Sequence, residues 1–471
     1  MADERPNILL LMTDQQRGDC LGLDGHPVLQ TPYLDHVGAS GVHFANAYTE
    51  CPVCIPARRS LMTGKRPGSH GVMMNYDTHL EGPTLPGVLS QAGYQTHLVG
   101  KLHLWPLRKL YGFDSAVWSD GIERAQPDDY ERFLQRSGVN IPRPVHSHGM
   151  NINGYPVRPW HLDEHLHFSN WCAHGALDFL ERRDPTVPFL LKVSFLHPHE
   201  PCTPPKHFYD RYMSMDLPEP YVGDWARVYD EPQRGTPIAP WRLNLEPRLM
   251  KQYRAGYFGS IDHIDSQVGR ILNALPHNTI IVFLSDHGDM LGDHQWLRKR
   301  SGYEPSARVP MLMNFPGSMG LQQGRVMEEP VQLMDVMPTL LEAAGAEIPE
   351  GVEGRSVLSL LRGESDWREY AHGECAEVPT LDSGTQYLTD GRRKYIWYPG
   401  RGEEQFFDLE NDPHEMVDLA GDAAWEDEIS LWRERLVREL EGRPEGFVRD
   451  GKLVELEGTT PRFMPGYRKP E

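Results

Sequence analysis

Short apolar runs that stop at polar clusters recur along the chain. Asn7 to Met12 stops at Thr13-Asp14-Gln15, Thr96 to Val99 at Gly100-Lys101, Phe189 to Phe195 near His197 and His199, and Thr279 to Leu284 at Ser285-Asp286-His287. Each run reads as a buried strand that delivers polar groups at its C-terminal end. Between them, Arg248 to Leu275 and Val331 to Ala344 read as amphipathic helical segments. His161 to Arg183 reads as a further helix leading into the Phe189 strand, with Leu166, Trp171, Ala173 and Leu177 to Phe179 as core candidates. Strands alternating with helices predict an α/β sheet with covered faces. Ligands bind such sheets beyond the carboxyl ends of the strands, so the polar exits converge on one candidate site.

The pattern changes after about residue 365. Thr385 to Tyr398 reads as two strands around the Asp390-Gly391 turn, a hairpin signal, and Phe406 to Leu409 adds another strand. Glu426 to Glu441 has helical apolar spacing at Ile429, Leu431, Leu436 and Leu440. The expected division is therefore a catalytic unit over residues 1–365 and a small α+β unit with an antiparallel sheet over 366–471. The last stretch, Gly442 to Glu471, is rich in Gly, Pro and charge and reads either as a mobile end or as a tail that packs on a neighbour, the second being the route to a homo-oligomer.

Charge narrows the partners. Lys and Arg number 47 against 67 Asp and Glu, a net charge of −20, which disfavours nucleic acid and anionic membrane surfaces. The N-terminal apolar run is too short for a signal peptide or a membrane span, so a cytoplasmic location is expected. Six cysteines in 471 residues do not make a disulfide framework, so a special cysteine here is more readily chemical than structural.

Cys54 is the candidate. It precedes Pro56 at the start of a helical segment, where backbone N–H groups and the positive helix end favour anions and lower a thiol pKa. A lone cysteine there also fits a buried small hydrophobe, and Cys51 with Cys54 forms a C-x-x-C pair without a second pair to complete a zinc site. The wider pattern changes the reading. Cys54-x-Pro56-x-Arg58, followed after four residues by Thr63-Gly64, resembles the signature of the type I sulfatases of the alkaline phosphatase superfamily. In that family the cysteine is oxidised to Cα-formylglycine by a maturing enzyme that reads the surrounding Pro and Arg, and the hydrated aldehyde is the nucleophile.

Other motifs carry the resemblance through the catalytic part of the chain. Asp14-Gln15 resembles the family's aspartate pair with Gln in the second place, and Asp286-His287-Gly288 resembles its metal motif. The resemblance implies one divalent cation held by Asp14, Asp286, His287 and the converted Cys54, with Ca²⁺ suited to oxygen ligands and Mn²⁺ left open by the imidazole. Gly100-Lys101-Leu102-His103 resembles the Gly-Lys-x-His strand exit, whose spacing puts Lys101 and His103 on one side of an extended strand. His199 matches the Pro-His-x-Pro segment, with His197 as a neighbour without a catalytic task. Lys299, in register with Tyr303-Glu304, matches the catalytic-lysine segment, and Asn75 a position that contacts the transferred group.

The resemblance implies an alkaline-phosphatase-like fold, a mixed central sheet flanked by helices, and hydrolysis of small sulfate monoesters of the arylsulfatase type. Arg58, Lys101, Lys299 and the metal surround the sulfate. His199 and Lys299 bind the ester and protonate the leaving alcohol, while His103 deprotonates the remaining formylglycine hydroxyl to expel sulfate. Three rivals stand beside this reading. Phosphonate monoester hydrolases and phosphodiesterases of the superfamily share the Asp-Gln and Asp-His patterns but usually carry hydroxyl residues in place of Lys101 and His103. His161-Leu162-Asp163-Glu164-His165 satisfies the H-x-x-E-H pattern of zinc peptidases, with His161, Glu164 and His165 as the working residues. A non-catalytic binding module would require an inert residue at a matched position, and there is none.

Overall fold

The computed structural model describes residues 5–121, 127–139, 149–364, 366–376 and 384–456. In chain order its first strands are β1 (Asn7–Asp14), β2 (Val42–Phe44), β3 (Ala47–Tyr48), β4 (Gln95–Gly100), β5 (Ser115–Trp118) and β6 (Phe189–Pro198). They are followed by β7 (Thr279–Ser285), β8 (Met311–Asn314), β9 (Arg325–Met327) and β10 (Val331–Gln332). Eight of these form one sheet in the order β5-β4-β6-β1-β7-β8-β2-β9. The pairs from β5 to β7 are parallel, and β8 runs antiparallel to both β7 and β2, so the sheet is mixed as expected.

Alternation along β1 explains the uninterrupted apolar run. Ile8, Leu10 and Met12 enter one core with Ala57, Leu61, Leu85 and Leu340, while Leu9 and Leu11 enter a second with Leu34, Trp171, Ile264 and Val268. Helices therefore cover both faces, and no side of the strand is left for polar residues. Burying each such aliphatic side chain contributes about 1.5–3 kcal/mol.

Local signals moved three predicted boundaries. The segment predicted as a helix from Val331 opens as β10, paired with β3, because Asp335 caps the Gln332 N–H at 2.8 Å; regular helix covers only Val336–Ala343. The long helix is Pro247–Leu272. The helix expected from His161 spans only Phe168–Arg182, preceded by a single 3-10 turn at Glu164–Leu166.

The small C-terminal unit contains β11 (Ala371–Cys375), β12 (Thr385–Thr389), β13 (Arg393–Tyr398) and β14 (Glu403–Asp408) in an antiparallel sheet. The Asp390 carboxylate accepts the Arg392 and Arg393 N–H groups and Gly391 takes φ 87°, which closes the predicted hairpin. The helix Glu426–Leu440 buries Ile429, Trp432, Leu436 and Leu440 against one face; Leu431, predicted for that face, is 44% exposed. The other face packs Tyr387, Ile396 and Phe407 against Tyr48 and Tyr303, which ties the small sheet to the segment after Lys299. Among the described residues no helix is long and apolar enough to cross a membrane.

Candidate active site

Parallel register sets the strand exits side by side. Thr13 pairs with Ser285, Asp14 with Pro198 and Gly100 with Ser194, so Asp14, Asp286, Lys101 and His199 all emerge at one edge. The helix Cys54–Thr63 starts above that edge and is buried along its whole length. Its N-cap, Val53, has no side-chain acceptor for the orphan N–H groups of the first turn; Asn75 Oδ1 takes one of them, the Ile55 N–H, at 2.9 Å. Asn75 thereby fixes where Cys54 sits.

Cys54 Sγ lies 3.2 Å from His287 Nε2, 3.4 Å from Lys299 Nζ and 3.8 Å from Asp14 Oδ1. Burial opposes ionisation of the thiol, yet Lys299, Lys101 and His287 together hold it well below the ordinary thiol range, helped by a hydrogen bond with His103. Lys101 Nζ is 2.7 Å from Asp14 Oδ2, and despite burial the carboxylate raises the lysine pKa. Burial would raise Asp14, but Lys101, His199 and Arg58 outweigh it and the carboxyl is held low. Arg58 donates from Nε to Asp286 Oδ2 at 2.8 Å, from Nη2 to Asp14 Oδ2 at 2.9 Å, and from Nη1 to Ser194 Oγ at 3.0 Å and the Lys101 carbonyl at 3.1 Å. All its nitrogens face protein acceptors.

The expected extended geometry at Lys101 and His103 is not observed. β4 ends at Gly100, whose φ of 94° and close approach to the Ser194 carbonyl exclude a side chain, and His103 has φ 56°. Asp120 Oδ1 accepts the Leu102 and His103 N–H groups at 3.0 and 2.8 Å and holds this turn. Both side chains still reach the Cys54 cluster. His103 Nδ1 is buried without a hydrogen-bond partner.

The ligand atoms of Asp14, Cys54, Asp286 and His287 lie within 4.8 Å of one another. His287 Nδ1 donates to the Gly288 carbonyl at 3.0 Å, which leaves Nε2 with its lone pair toward the other three. Without a cation the two carboxylates repel: burial and Asp14 raise Asp286. This donor set fits a divalent metal. Beside this donor set the Gln15 carbonyl oxygen accepts from Lys299 Nζ at 2.5 Å, while its amide donates to Glu200 and Asp289 at 2.9 and 2.5 Å.

Glu200 and Asp289 were not singled out in the sequence, although each adjoins a motif that was. Burial raises Asp289 to about 6, and Glu200 adds to the rise; Glu200 itself is held low against burial by His199 and Lys299. His199 Nδ1 sits 2.8 Å from the Glu200 carbonyl, and the His199 backbone N–H donates to the Asp14 carbonyl at 3.1 Å. Nothing local marked Ser194 or Asp120. The clefts around Tyr221, Met250 and Arg254 lie apart, with no member of the Cys54 cluster in their walls.

The zinc-peptidase pattern fails on geometry. His161, Glu164 and His165 are exposed, His161 lies outside the 3-10 turn that holds the other two, and Glu164 faces His207 at 3.6 Å. His197 packs its ring against His167 at 4.8 Å. All six cysteines are free and buried.

Comparison with known proteins agrees with this geometry. A family model described as Sulfatase matches residues 6–346, and one described as N-sulphoglucosamine sulphohydrolase, C-terminal, matches 292–441. An arylsulfatase of Clostridium perfringens is 41% identical over 96% of this chain and 98% of its own. A choline-sulfatase of Rhizobium meliloti is 31% identical over 89% of this chain and 83% of its own. The crystal structure of a phosphonate monoester hydrolase of Agrobacterium radiobacter shares the fold, with a TM-score of 0.77 at 24% identity over 92% of this chain and 95% of that one. With the family model covering most of the chain and the Asp14, Cys54, Asp286 and His287 cluster in place, the chain belongs to the sulfatase family, hydrolases of the alkaline phosphatase superfamily.

Proposed function

We propose that the protein hydrolyses small sulfate monoesters of the aryl type at position 54. The observation that carries this is the pair of lysines on the nucleophile: Lys299 Nζ at 3.4 Å from Cys54 Sγ, and Lys101 Nζ at 2.7 Å from Asp14 in the same cluster. Two ammonium groups in a water-poor site complement the charge of a sulfate in transfer. The 41% identical relative, an arylsulfatase, supports the same class.

Cys54 Sγ stands here for the side-chain oxygens of formylglycine, made by a separate maturase. Ca²⁺ is the proposed metal, because oxidation replaces the one soft sulfur donor by oxygen. Bound by Asp14, Asp286, His287 and residue 54, it supplies Lewis acidity and lowers the pKa of the nucleophilic oxygen. The protein's own groups do the rest. Arg58 positions the two carboxylates, since its donors all point at protein atoms, and Asn75 sets the start of the helix that presents residue 54. Lys101 and Lys299 hold the sulfate. His199, oriented by the Glu200 carbonyl, donates its proton to the leaving alcohol oxygen. His103, on residue 54 by a hydrogen bond, takes the proton of that residue's second oxygen as sulfate departs.

The catalytic unit extends in this reading to about residue 365, with the small sheet behind Tyr303 closing the back of the site. The proposed oligomer contact through the tail falls largely on residues 457–471, outside the described residues.

The test is kcat/KM of the matured, metal-loaded enzyme on an aryl sulfate and on a phosphonate monoester with the same leaving group. A large preference for sulfate is expected. A preference for the phosphonate overturns the reading and makes Asp14-Gln15 the better guide to the substrate.

A further inference from the structure

Lys299 lies between two arginines that the hydrolytic cluster does not use. The guanidinium carbons of Arg298 and Arg300 sit 3.5 and 4.5 Å from the ring centroid of Trp241. Backbone contacts fix that tryptophan beside the catalytic segment: the Leu297 N–H donates to the Trp241 carbonyl at 2.9 Å, and Arg242 bridges to Trp296. Arg298 is tied down by the Ala239 and Pro240 carbonyls, each 3.1 Å from Nη2. Arg300 has no such tie. Its Nε is buried without a hydrogen-bond partner, and among the described residues no carboxylate forms an ion pair with it. Lys299, the residue before it, reaches Cys54 Sγ at 3.4 Å, so Arg300 sits on the segment that carries the nucleophile's lysine, and burial lowers its pKa. Both arginines hold left-handed backbone, φ 65° and 81°, a conformation that costs side-chain-bearing residues of order 1 kcal/mol or more.

An unpaired guanidinium in a half-buried position is unfavourable until an anion reaches it. This chain has 67 acidic residues with which to pair one, and Arg300 is left open. The transferred sulfate is already met by Lys101 and Lys299. Stacking on an indole restrains a guanidinium while leaving its edge donors available for a planar, bidentate partner.

We propose that Arg300, held over Trp241 beside Arg298, is a leaving-group subsite for a second anionic group, a carboxylate or a further sulfate, on the alcohol part of the ester. This rests on the reading of residue 54 as the centre of sulfate ester hydrolysis. The natural substrate is then at least dianionic, and Arg300 discriminates it from neutral aryl sulfates.

The experiment compares 3- and 4-carboxyphenyl sulfate with the matching carboxamides, which have the same shape and no second charge. The enzyme should prefer at least one carboxylate by roughly 10- to 100-fold in kcat/KM, carried mainly by KM. Arg300→Leu should abolish that preference and leave the carboxamide rates unchanged; Arg300→Lys, which keeps charge without the fork, should retain part of it. Hydroquinone bis-sulfate in the same series tells a second sulfate from a carboxylate. Equal rates for acid and amide, or an equal fall of both in Arg300→Leu alongside a normally folded Arg300→Lys, overturns the proposal. If no sulfate ester is turned over, the failure belongs to the reaction assigned above, and the subsite is judged by titration calorimetry on the Cys54→Ala protein. There 4-sulfobenzoate should bind more tightly than 4-carbamoylbenzenesulfonate in an Arg300-dependent manner, and equal affinities refute it.

Discussion

The guanidinium of Arg58 is locked to the carboxylate of Asp286, Nε to Oδ2 at 2.8 Å, with 1% of the arginine and none of the aspartate exposed. A second carboxylate, Asp14, meets the same guanidinium at 2.9 Å. Removing the arginine takes from buried Asp286 its guanidinium partner and leaves Asp14 to Lys101 alone. Arg58→Leu is therefore expected to lower stability by about 3–5 kcal/mol in urea unfolding of the metal-free protein, besides ending turnover. A loss below about 1 kcal/mol, the level of an exposed pair, would show that water reaches the carboxylates.

His199 is oriented by the 2.8 Å contact of Nδ1 with the Glu200 carbonyl, which leaves Nε2 for the leaving group. His199→Ala should lower kcat by roughly 10²- to 10⁴-fold for esters of weakly acidic phenols and far less for nitrophenyl sulfate. A plot of rate against leaving-group pKa for both proteins checks this. A loss that is uniform across the series assigns His199 to sulfate binding instead.

Metal retention depends on Asp286 as a charged ligand. Asp286→Asn should reduce bound divalent metal in elemental analysis and abolish hydrolysis, and a chelator should do the same to the parent protein. Full metal content in the variant would remove Asp286 from the ligand set.

Glu50, which is outside the metal-ligand group, gives a pH dependence of stability. Its Oε1 accepts the Met334 N–H at 2.7 Å, Oε2 has no partner, and burial raises its pKa from the usual 4.5 to about 8. The folded state thus holds the proton more tightly than the unfolded chain. This contribution is full below pH 4.5 and is lost as pH rises to about 8, a change of a few kcal/mol. Glu50→Gln should flatten that slope in unfolding midpoints measured across the range. An unchanged slope would mean that Glu50 ionises normally inside the fold.

The strands, the hairpin at Asp390-Gly391 and the place of Cys54 in the carboxyl-edge cluster were legible in the chain because each is written in contiguous residues: apolar runs, a turn dipeptide, and Cys54 spaced from Pro56 and Arg58. The motif residues also met as expected, since parallel strands bring their ends to one edge. Periodicity misled where a side chain outside the run decided the backbone, as Asp120 does at His103 from 17 positions away, and where a local cap overrode it, as Asp335 does at Gln332.

What the sequence by itself determined is the covered α/β sheet and the set of groups available at its carboxyl edge, because burial pattern and motif spacing are properties of short stretches. Only the tertiary structure decided how those groups are employed. Gln15 is drawn to Asp289, 274 positions away, and to Lys299, 284 positions away; Arg58 donates to the Asp14 and Asp286 carboxylates; Arg300 Nε has no hydrogen-bond partner among the described residues and sits over Trp241. Hydrogen-bond partners at such separations depend on strand register and helix placement, which no local pattern encodes.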